Sequence, residues 1–372
     1  MADPRSPQTI LVRAPNPIGD LVMATGRLDD VRRSFPESRV TLMIKPGREG
    51  VVAGLDSFDE IVLDDSHLGL GRAQRLVRAL RRRRLDLGIV MTQSLRTAIV
   101  IALGGARQRI GYAKGGQGRL LTRRVPVEKL PTGKWKPRPM PELYGRLVEA
   151  AGATLGEGWP RLVVTPDLEE RYLSHRRELG IADGEDLIGV VPGASFGGSK
   201  LWPPEHIAEL VDRVTERFGL RTILFAAPAE RPIVDAILAR TRTRPIDPGD
   251  RPIGLELLKP YVRGLRLLIT MDTGPRHYAT AFRVPTVCIM GPTHPDWTAS
   301  HLDLQEVVRH DVPCGPCQLP TCPLDHRCMC EITPAEVLDR IEDLERRLGS
   351  LSGGGETRAS ASDETEAGRR SR

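Results

Sequence analysis

Aromatic residues are scarce in this 372-residue chain, where Phe, Trp and Tyr make up 4% of the sequence. Its cores must therefore be built from Val, Leu, Ile and Ala. Long apolar runs are missing too, since residues 97–106 reach only about half of the ~18–20 residues that a membrane-spanning helix needs. The N-terminus is polar and Pro-rich, without the apolar core of a signal peptide. We therefore expect a cytoplasmic protein.

Several ligand-binding signatures are also missing. The Gly/Ser-rich loop 193–199 lacks the Gly-Lys-Ser/Thr of a P-loop, and no Asp-x-Asp metal motif lies in a suitable loop. No basic strand carries interleaved aromatics, and no helix-turn-helix pattern occurs, which argues against a nucleic-acid partner. The sequence predicts neither a cofactor nor a catalytic metal.

Charge is distributed unevenly along the chain. Residues 1–165 carry 28 Lys and Arg against 16 Asp and Glu, an excess of +12, whereas the remainder has a net charge of −6. A basic first half indicates an anionic partner, such as a phosphorylated glycolipid or an anionic membrane surface. The alternative for the densest run, Arg81 to Arg84, is a solvated helix face.

The order of apolar and polar segments predicts an α/β protein. Strand signals at residues 10–14, 39–44, 60–63 and 87–91 alternate with helical patterns, as in a doubly wound parallel sheet. The alternation stops at the polar segment 160–186 and restarts at residue 187. We expect a first Rossmann-like domain at 1–165, a second at 166–348 and a disordered tail at 349–372. Residues 113–141, rich in Gly, Pro and basic residues, are expected to form a mobile loop near the substrate.

The most informative stretch lies in the second half. An apolar run at 267–271 predicts a buried strand, and Asp272-Thr273-Gly274 is typical of a turn that caps a helix. A helix beginning there directs free N–H groups and the positive end of its dipole into the loop, where phosphate binds well. The next strand, 286–290, ends in a second polar turn, Gly291-Pro292-Thr293. Two such strand ends side by side form a crevice typical of nucleotide sites.

Four ordered blocks of the sequence resemble a known family. These are the motif from Asp272 through Thr293, the segment Asn16 to Asp20, the segment Pro192 to Pro203, and the cysteine-rich segment 314–332. Together they are similar to the bacterial ADP-heptose:lipopolysaccharide heptosyltransferases. Arg276 departs from the pattern, which has a smaller or apolar residue there. The resemblance implies a GT-B fold and an inverting, metal-independent sugar transfer from an ADP-sugar to a phosphorylated glycolipid.

Two residues are candidates for the chemistry. Asp20 follows the first strand at a helix start, where a carboxylate can take a proton from an acceptor hydroxyl, and the resemblance implies that it is the general base. Lys200 lies in a Gly/Ser-rich loop, where an ammonium on a flexible side chain could stabilise a departing diphosphate. The structural alternatives are a helix cap for Asp20 and a surface lysine for Lys200.

Further residues are candidates for binding. Glu230 follows a strand end, where a carboxylate can accept both ribose hydroxyls, although it could also serve only the helix dipole. We expect the donor phosphates to meet the two polar turns, at Asp272, Thr273, Gly274, His277, Gly291, Pro292 and Thr293. We expect the acceptor to meet the basic loop, at Arg119, Arg123, Arg124, Lys134 and Lys136.

The remaining feature is a cluster of cysteines near the end of the chain. Cys314, Cys317, Cys322 and Cys328 could hold a structural zinc, although their spacing matches no standard finger. Reduced thiols packing an irregular loop are the other interpretation. Two alternatives to heptose transfer also stay open: the same fold with another nucleoside-diphosphate sugar, and a non-catalytic nucleotide- or anion-binding protein.

Overall fold

A computed structural model of the chain describes residues 7–349 and contains two parallel β-sheets with helices on both faces. The predicted doubly wound α/β architecture is confirmed. The domain boundary expected between residues 165 and 166 stays a prediction. The expected disordered tail lies outside the described residues, apart from Gly349.

The first half forms a six-stranded sheet. Its elements are β1 (Thr9–Arg13), α1 (Ile18–Ser34), β2 (Arg39–Ile44), α2 (Glu49–Val52), β3 (Glu60–Leu63), α3 (Leu70–Arg82), β4 (Leu87–Val90), α4 (Leu95–Leu103), β5 (Gln108–Tyr112), β6 (Arg123–Val125) and α5 (Met140–Ala150). The strand order is β3-β2-β1-β4-β5-β6, and every pairing is parallel.

The second half forms a five-stranded sheet. Its elements are α6 (Pro166–Glu178), β7 (Leu187–Val191), α7 (Pro204–Phe218), β8 (Arg221–Leu224), α8 (Arg231–Leu238), α9 (Leu258–Arg263), β9 (Leu265–Met271), α10 (Gly274–Ala281), β10 (Thr286–Ile289), β11 (Gln305–Val308), α11 (Arg327–Cys330) and α12 (Pro334–Leu348). The strand order is β11-β10-β9-β7-β8, again parallel throughout.

The strand orders locate the crevices of both sheets. In the first sheet the chain turns from one side of β1 to the other, so that β4 pairs with β1 opposite β2. In the second sheet β9 pairs with β7 opposite β8. At such switch points neighbouring helices leave the sheet in opposite directions, and a crevice opens outside the carboxyl ends of the strands. Asp20 follows β1, and Lys200 follows β7.

Each half has a cluster of buried apolar side chains of its own, and a third cluster joins the two halves. One cluster of buried side chains runs from Leu28 in the first half to Leu265 and Tyr278 in the second. Polar contacts also cross the junction: the indole N–H of Trp159 donates to the Thr280 carbonyl at 3.1 Å. The cores are largely aliphatic, as the scarcity of aromatics requires. Within residues 7–349, no helix has the length and apolar character to cross a membrane.

Local structure adds detail to these expectations. Helix α1 begins at Ile18, so Asp20, expected at a helix start, lies inside its first turn. The segment 113–141, expected to be a mobile loop near the substrate, contains the strand β6, which pairs with β5 in parallel register. A three-residue strand that begins with two arginines is too short to show the alternation of apolar and polar side chains that identifies a strand. Helix α12 begins with a capping box, since Thr333 and Glu336 each accept a hydrogen bond from the other's backbone N–H.

Candidate functional site

Asp20 is held at the start of α1 by a short loop after β1. That loop is anchored by Arg13, whose buried guanidinium pairs with Asp64 at 3.0 Å and donates to the Asn16 side chain at 2.7 Å. Pro17 precedes the helix and leaves the first-turn N–H groups without a side-chain cap. Asp20 therefore lies near the positive end of the α1 dipole, outside the carboxyl end of β1.

Residues from three loops meet in the second half. The Nζ of Lys200, from a 3₁₀ turn at Gly198–Lys200, donates to the Asp272 carboxylate at 2.7 Å and to the Asp272 carbonyl at 2.6 Å. The hydroxyl of Thr293, in the turn after β10, donates to the same carboxylate at 2.8 Å. All three side chains are buried. The structure thus brings together Lys200, Asp272 and Thr293, which the sequence singled out separately.

The two halves meet where α1 and α10 begin. A side chain at Gly19 would collide with His277, whose Cδ2 lies 2.5 Å from the ideal Cβ position. A side chain at Gly274 would press on Ile18, at 3.1 Å. The two glycines therefore permit close approach of the two helix N-termini. Asp20 is placed close enough to Asp272 and Lys200 for both charges to shift its pKa.

The environment sets the protonation of Asp20. Burial raises the pKa of Asp20 to about 6, and the negative charge of Asp272 adds to this, while Lys200 and a hydrogen bond from Tyr144 act in the opposite direction. A carboxylate with a pKa near 6 is ionised at neutral pH and is a stronger base than an ordinary aspartate. Tyr144 is fully buried on α5, and nothing in the sequence pattern identified it.

Asp272 has the opposite character. Burial alone would raise the pKa of Asp272, but the charges of Lys200 and Arg276 and its hydrogen bonds outweigh burial and lower it to about 2. The pKa of His277 falls to about 3, because burial and the neighbouring charge of Arg276 disfavour the imidazolium. At neutral pH the site thus combines a neutral His277 with a fully ionised Asp272.

Arg276 belongs to this charge network. Its side chain is 2% exposed, and its guanidinium contacts Asp272 at 3.2 Å, Gln305 at 2.9 Å and Thr298 at 2.9 Å. The departure from the family pattern therefore places a second cation against Asp272, one helical turn away. The i, i+4 spacing of Asp272 and Arg276 is the signal in the sequence that could have identified this pair.

Glu230 ends a 3₁₀ turn after β8. Its carboxylate accepts from the Ala227 N–H at 2.8 Å, so Glu230 caps this turn at the start of α8. The same carboxylate lies against Gly193, because a Cβ at Gly193 would overlap the carboxylate atoms. Glu230 therefore borders the loop that leads to Lys200, and its ribose-binding role stays a prediction.

The residues expected to bind the acceptor lie around β6, the edge strand of the first sheet. Arg123 and Arg124 donate to the carbonyls of Ala150 and Gly118, and Lys136 pairs with Glu128 at 3.3 Å. Arg119 and Lys134 are exposed. The five side chains do not converge on one point in the contacts of residues 7–349.

The cysteine-rich loop packs against the donor-side turns. Cys314, Cys317, Cys322 and Cys328 line one cavity of about 20 Å³. Ser199 binds this loop through its N–H and hydroxyl, which donate to the carbonyls of Pro320 and Leu319. Among residues 7–349, no three His, Cys, Asp or Glu side chains are arranged to hold a metal ion, and all six cysteines are free. In this structure the loop supports the segment before Lys200 by packing and hydrogen bonds.

Comparison with known proteins places this geometry in a family. Residues 73–327 match glycosyltransferase family 9 (heptosyltransferase). The chain is 25% identical over 348 residues to lipopolysaccharide heptosyltransferase 2 of Salmonella typhimurium, a match covering 90% of this chain and 98% of that protein.

Solved structures share the fold. A glycosyl transferase family 9 protein from Veillonella parvula superimposes with a TM-score of 0.75 at 21% identity, covering 91% of this chain and 97% of that one. The ADP-heptose lps heptosyltransferase II of E. coli gives a TM-score of 0.73 at 23% identity, with 90% and 98% covered. These likenesses agree with the GT-B architecture of two facing parallel-sheet domains. The family match spans well over half of the sequence, and the chain belongs to glycosyltransferase family 9, the heptosyltransferases.

Proposed function

We propose that this glycosyltransferase moves heptose from ADP-heptose to the core of lipopolysaccharide or a related glycolipid. Three observations support the proposal. The chain belongs to the family, and it matches relatives named lipopolysaccharide heptosyltransferase 2 over nearly the whole length of those proteins. Residues of both halves also meet at one site. In this proposal the second half binds the nucleotide-sugar and the basic first half binds the phosphorylated acceptor.

Asp20 is the proposed general base. Its carboxylate takes the proton of the acceptor hydroxyl as that oxygen attacks the anomeric carbon from the face opposite the diphosphate. One C–O bond forms, the C–O bond to the diphosphate breaks, and the configuration inverts. A base with a pKa of about 6 combines near-complete ionisation at neutral pH with raised proton affinity.

The leaving diphosphate gains negative charge as that bond breaks. Lys200 has three N–H donors, and the Asp272 carboxylate and carbonyl hold it in place. Helix α10 begins at Gly274 with Thr273 as its N-cap, and no side chain caps this end. Pro275 has no N–H and the Arg276 N–H donates to the Thr273 carbonyl at 3.2 Å, so the Gly274 N–H is the donor that the first turn offers. We assign Lys200 and the Gly274 N–H to the diphosphate, because the ammonium and the positive end of the helix dipole both supply positive potential where charge develops. Glu230 is assigned to the ribose.

The observation that carries the proposal is the placement of Asp20, from the first half, against Lys200 and Asp272 of the second. A simple nucleotide-binding protein has no need of a half-buried carboxylate with a raised pKa beside its phosphate site. A basic first half also fits peripheral contact with an anionic inner-membrane surface, from which a glycolipid acceptor would be reached.

Calorimetric titration with ADP, UDP and GDP, followed by a transfer assay with ADP-heptose and a heptose-deficient core glycolipid, tests the proposal. We expect ADP to bind and UDP and GDP not to bind, and the acceptor to gain the mass of one heptose. Selective binding of UDP or GDP would assign another donor. ADP binding without transfer to any glycolipid would favour the non-catalytic alternative.

A further inference from the structure

Five large apolar side chains are exposed together on one side of the first sheet. Leu95, Ile99 and Leu103 are 48%, 40% and 52% exposed and are spaced by four residues, so they form one stripe along α4. Leu68 and Leu70, 57% and 82% exposed, lie at the start of α3, in a segment that contacts α4. We call these five residues the apolar face.

Single exposed leucines are ordinary in soluble proteins, but a contiguous group on adjacent helices marks an interaction surface. The other side of α4 is buried in the normal way, through residues such as Ala98 and Ile101. The helix therefore has apolar residues both toward the core and toward solvent. Packing in the core explains the buried residues but not the exposed stripe.

The charge around the apolar face is of one sign. Between Ser66 and Val127 the sequence has 14 Lys and Arg and a single acidic residue, Asp86. Asp86 is occupied elsewhere, since its carboxylate accepts from the backbone N–H groups of Gln8 and Thr9.

Many arginines of this segment have no acidic partner and no side-chain hydrogen bond in the part of the chain that the structure describes. Six of them are exposed and have no ion pair or side-chain hydrogen bond in the described part of the chain, 7–349: Arg75, Arg78, Arg82, Arg84, Arg96 and Arg119. In the second half, by contrast, exposed arginines such as Arg171, Arg217 and Arg242 pair with acidic neighbours at 2.7–2.9 Å. Within the dense run, Arg81 and Arg83 are engaged by the Leu103 carbonyl and by Glu60.

The apolar face also has a defined position relative to Asp20. Leu68 and Leu70 follow β3, and Leu95 follows β4, while Asp20 follows β1 of the same parallel sheet. The carboxyl ends of parallel strands share one edge, so the apolar face borders the edge from which Asp20 projects. Leu95 also lies against the basic loop, because a Cβ at Gly116 would touch it at 3.5 Å.

We propose that the apolar face and the six free arginines around it dock the protein on an anionic lipid bilayer. The leucines and Ile99 enter the boundary between headgroups and acyl chains, and the guanidinium groups bind lipid phosphates. Docking by this edge would bring a membrane-held acceptor toward Asp20, and this role of the docking rests on the proposed function. The docking itself is independent of donor and acceptor.

Co-sedimentation of the full chain with vesicles tests the docking. Vesicles of phosphatidylcholine alone are compared with vesicles that also contain phosphatidylglycerol, each at low and high salt. We expect binding to the anionic vesicles, weakened by salt, and little binding to the neutral ones. Equal binding to both, or no binding at low salt, overturns the proposal.

Paired variants separate the two parts of the surface. Arg75→Glu with Arg78→Glu should weaken the partition coefficient by at least about tenfold, because each basic residue at the surface contributes to adsorption. Leu95→Ser with Ile99→Ser should weaken it by about tenfold and lower the pressure increase in a lipid monolayer. Leu302→Ser and Arg240→Glu, exposed positions of the second half, are the matched controls and should bind like the native chain.

Three outcomes contradict the proposal. Native-like vesicle binding by both paired variants would show that the surface is not involved. Loss of binding in the control variants would show a non-specific effect of charge or hydropathy. A native dimer that the Leu95 and Ile99 changes convert to a monomer would assign the apolar face to a second copy of the chain. Vesicle binding with no heptose transfer would leave the docking intact and overturn only the proposed function.

Discussion

The ammonium of Lys200 lies 2.7 Å from the carboxylate of Asp272, and both side chains are about one-tenth exposed. The two residues come from loops after neighbouring strands, β7 and β9, 72 residues apart in sequence. With Arg276 on the other carboxylate oxygen, Asp272 is held between two cations. The cluster therefore has one net positive charge at the place assigned to the donor diphosphate, and Asp272 serves to position Lys200.

Changing Lys200 and Asp272 singly and together separates their structural and functional roles. Lys200→Met leaves a buried carboxylate with Arg276 as its only cation, so the free energy of unfolding should fall by about 3 kcal/mol. The double variant Lys200→Met, Asp272→Asn removes both buried charges and should recover much of this stability without recovering turnover. Thermal melts and steady-state transfer assays measure the two effects. Recovery of activity with stability would show that Lys200 is only structural.

Asp20→Asn tests the general base. The amide has the size of the carboxylate but cannot take the acceptor proton, so turnover should fall by ~10²–10⁴-fold with ADP affinity unchanged. Glu37→Gln, an exposed carboxylate just beyond the other end of α1, is the control and should be fully active. Turnover close to that of the native enzyme would refute the role.

The raised pKa of Asp20 also predicts how Asp20→Asn changes the stability of the fold at different pH values. Because burial raises the pKa of Asp20 to about 6 from 3.8, the folded state binds the proton more tightly than the unfolded state. Asp20 therefore favours folding below about pH 4, and this contribution is lost as the pH rises through 6. At pH 8, Asp20→Asn should unfold at a temperature no lower than that of the native chain. A large fall in melting temperature would show that the carboxylate is needed for folding.

The pH dependence of turnover tests the environment of Asp20. Activity should be full above the pKa of about 6 and fall by about tenfold per pH unit below it, as the base becomes protonated. The hydrogen bond from Tyr144 favours the ionised carboxylate, so Tyr144→Phe should move this limb of the profile to higher pH.

Tyr112→Phe provides the matched control. Its hydroxyl is buried nearby but donates to the Leu143 carbonyl at 2.7 Å rather than to Asp20. The profile of this variant should keep the native position even if stability falls. Equal shifts in the two variants would mean that Tyr144 acts through packing alone.

The sequence predicted the main layout because that layout depends on local patterns. The strand-turn-helix at Asp272-Thr273-Gly274 combines a buried apolar run, cap chemistry and a helix start, and each has a local signal. The capping box of α12 is equally local. By contrast, β6 and β11 have only three and four residues, which is too short to show the alternation of apolar and polar side chains that identifies a strand.

The contacts within the site were harder to predict for the same reason. Tyr144 reaches Asp20 only because α5 packs against α1, and a tyrosine in an amphipathic helix is otherwise an ordinary core residue. The approach of Gly19 to His277 depends on how the two halves meet, which no sequence spacing encodes. Single residues could be identified from chemistry, whereas their partners required the tertiary structure.

Glu230 and Gly193 give a prediction about nucleotide recognition. Glu230→Ala should weaken ADP binding by roughly 1–3 kcal/mol, since hydrogen bonds to a charged group are lost. It should also abolish the preference for ADP over the 2′-deoxy nucleotide. Gly193→Ala displaces the same carboxylate without removing it and should weaken ADP in the same direction. Equal affinity of the native protein for ribose and deoxyribose nucleotides would show that the ribose assignment is wrong.

The basic loop around β6 gives the last prediction. Arg119 and Lys134 are exposed, and neither has an ion pair in the part of the chain that the structure describes, so both are free to meet an anionic acceptor. Arg119→Glu with Lys134→Glu should raise the acceptor KM and leave ADP affinity unchanged, because the nucleotide is assigned to the other half. Arg171→Glu, on α6 of the second half, is the control for net charge. A detergent-solubilised glycolipid keeps membrane docking out of the measurement. An unchanged acceptor KM in the loop variant would leave these side chains as a solvated surface and place the acceptor phosphates elsewhere in the first half.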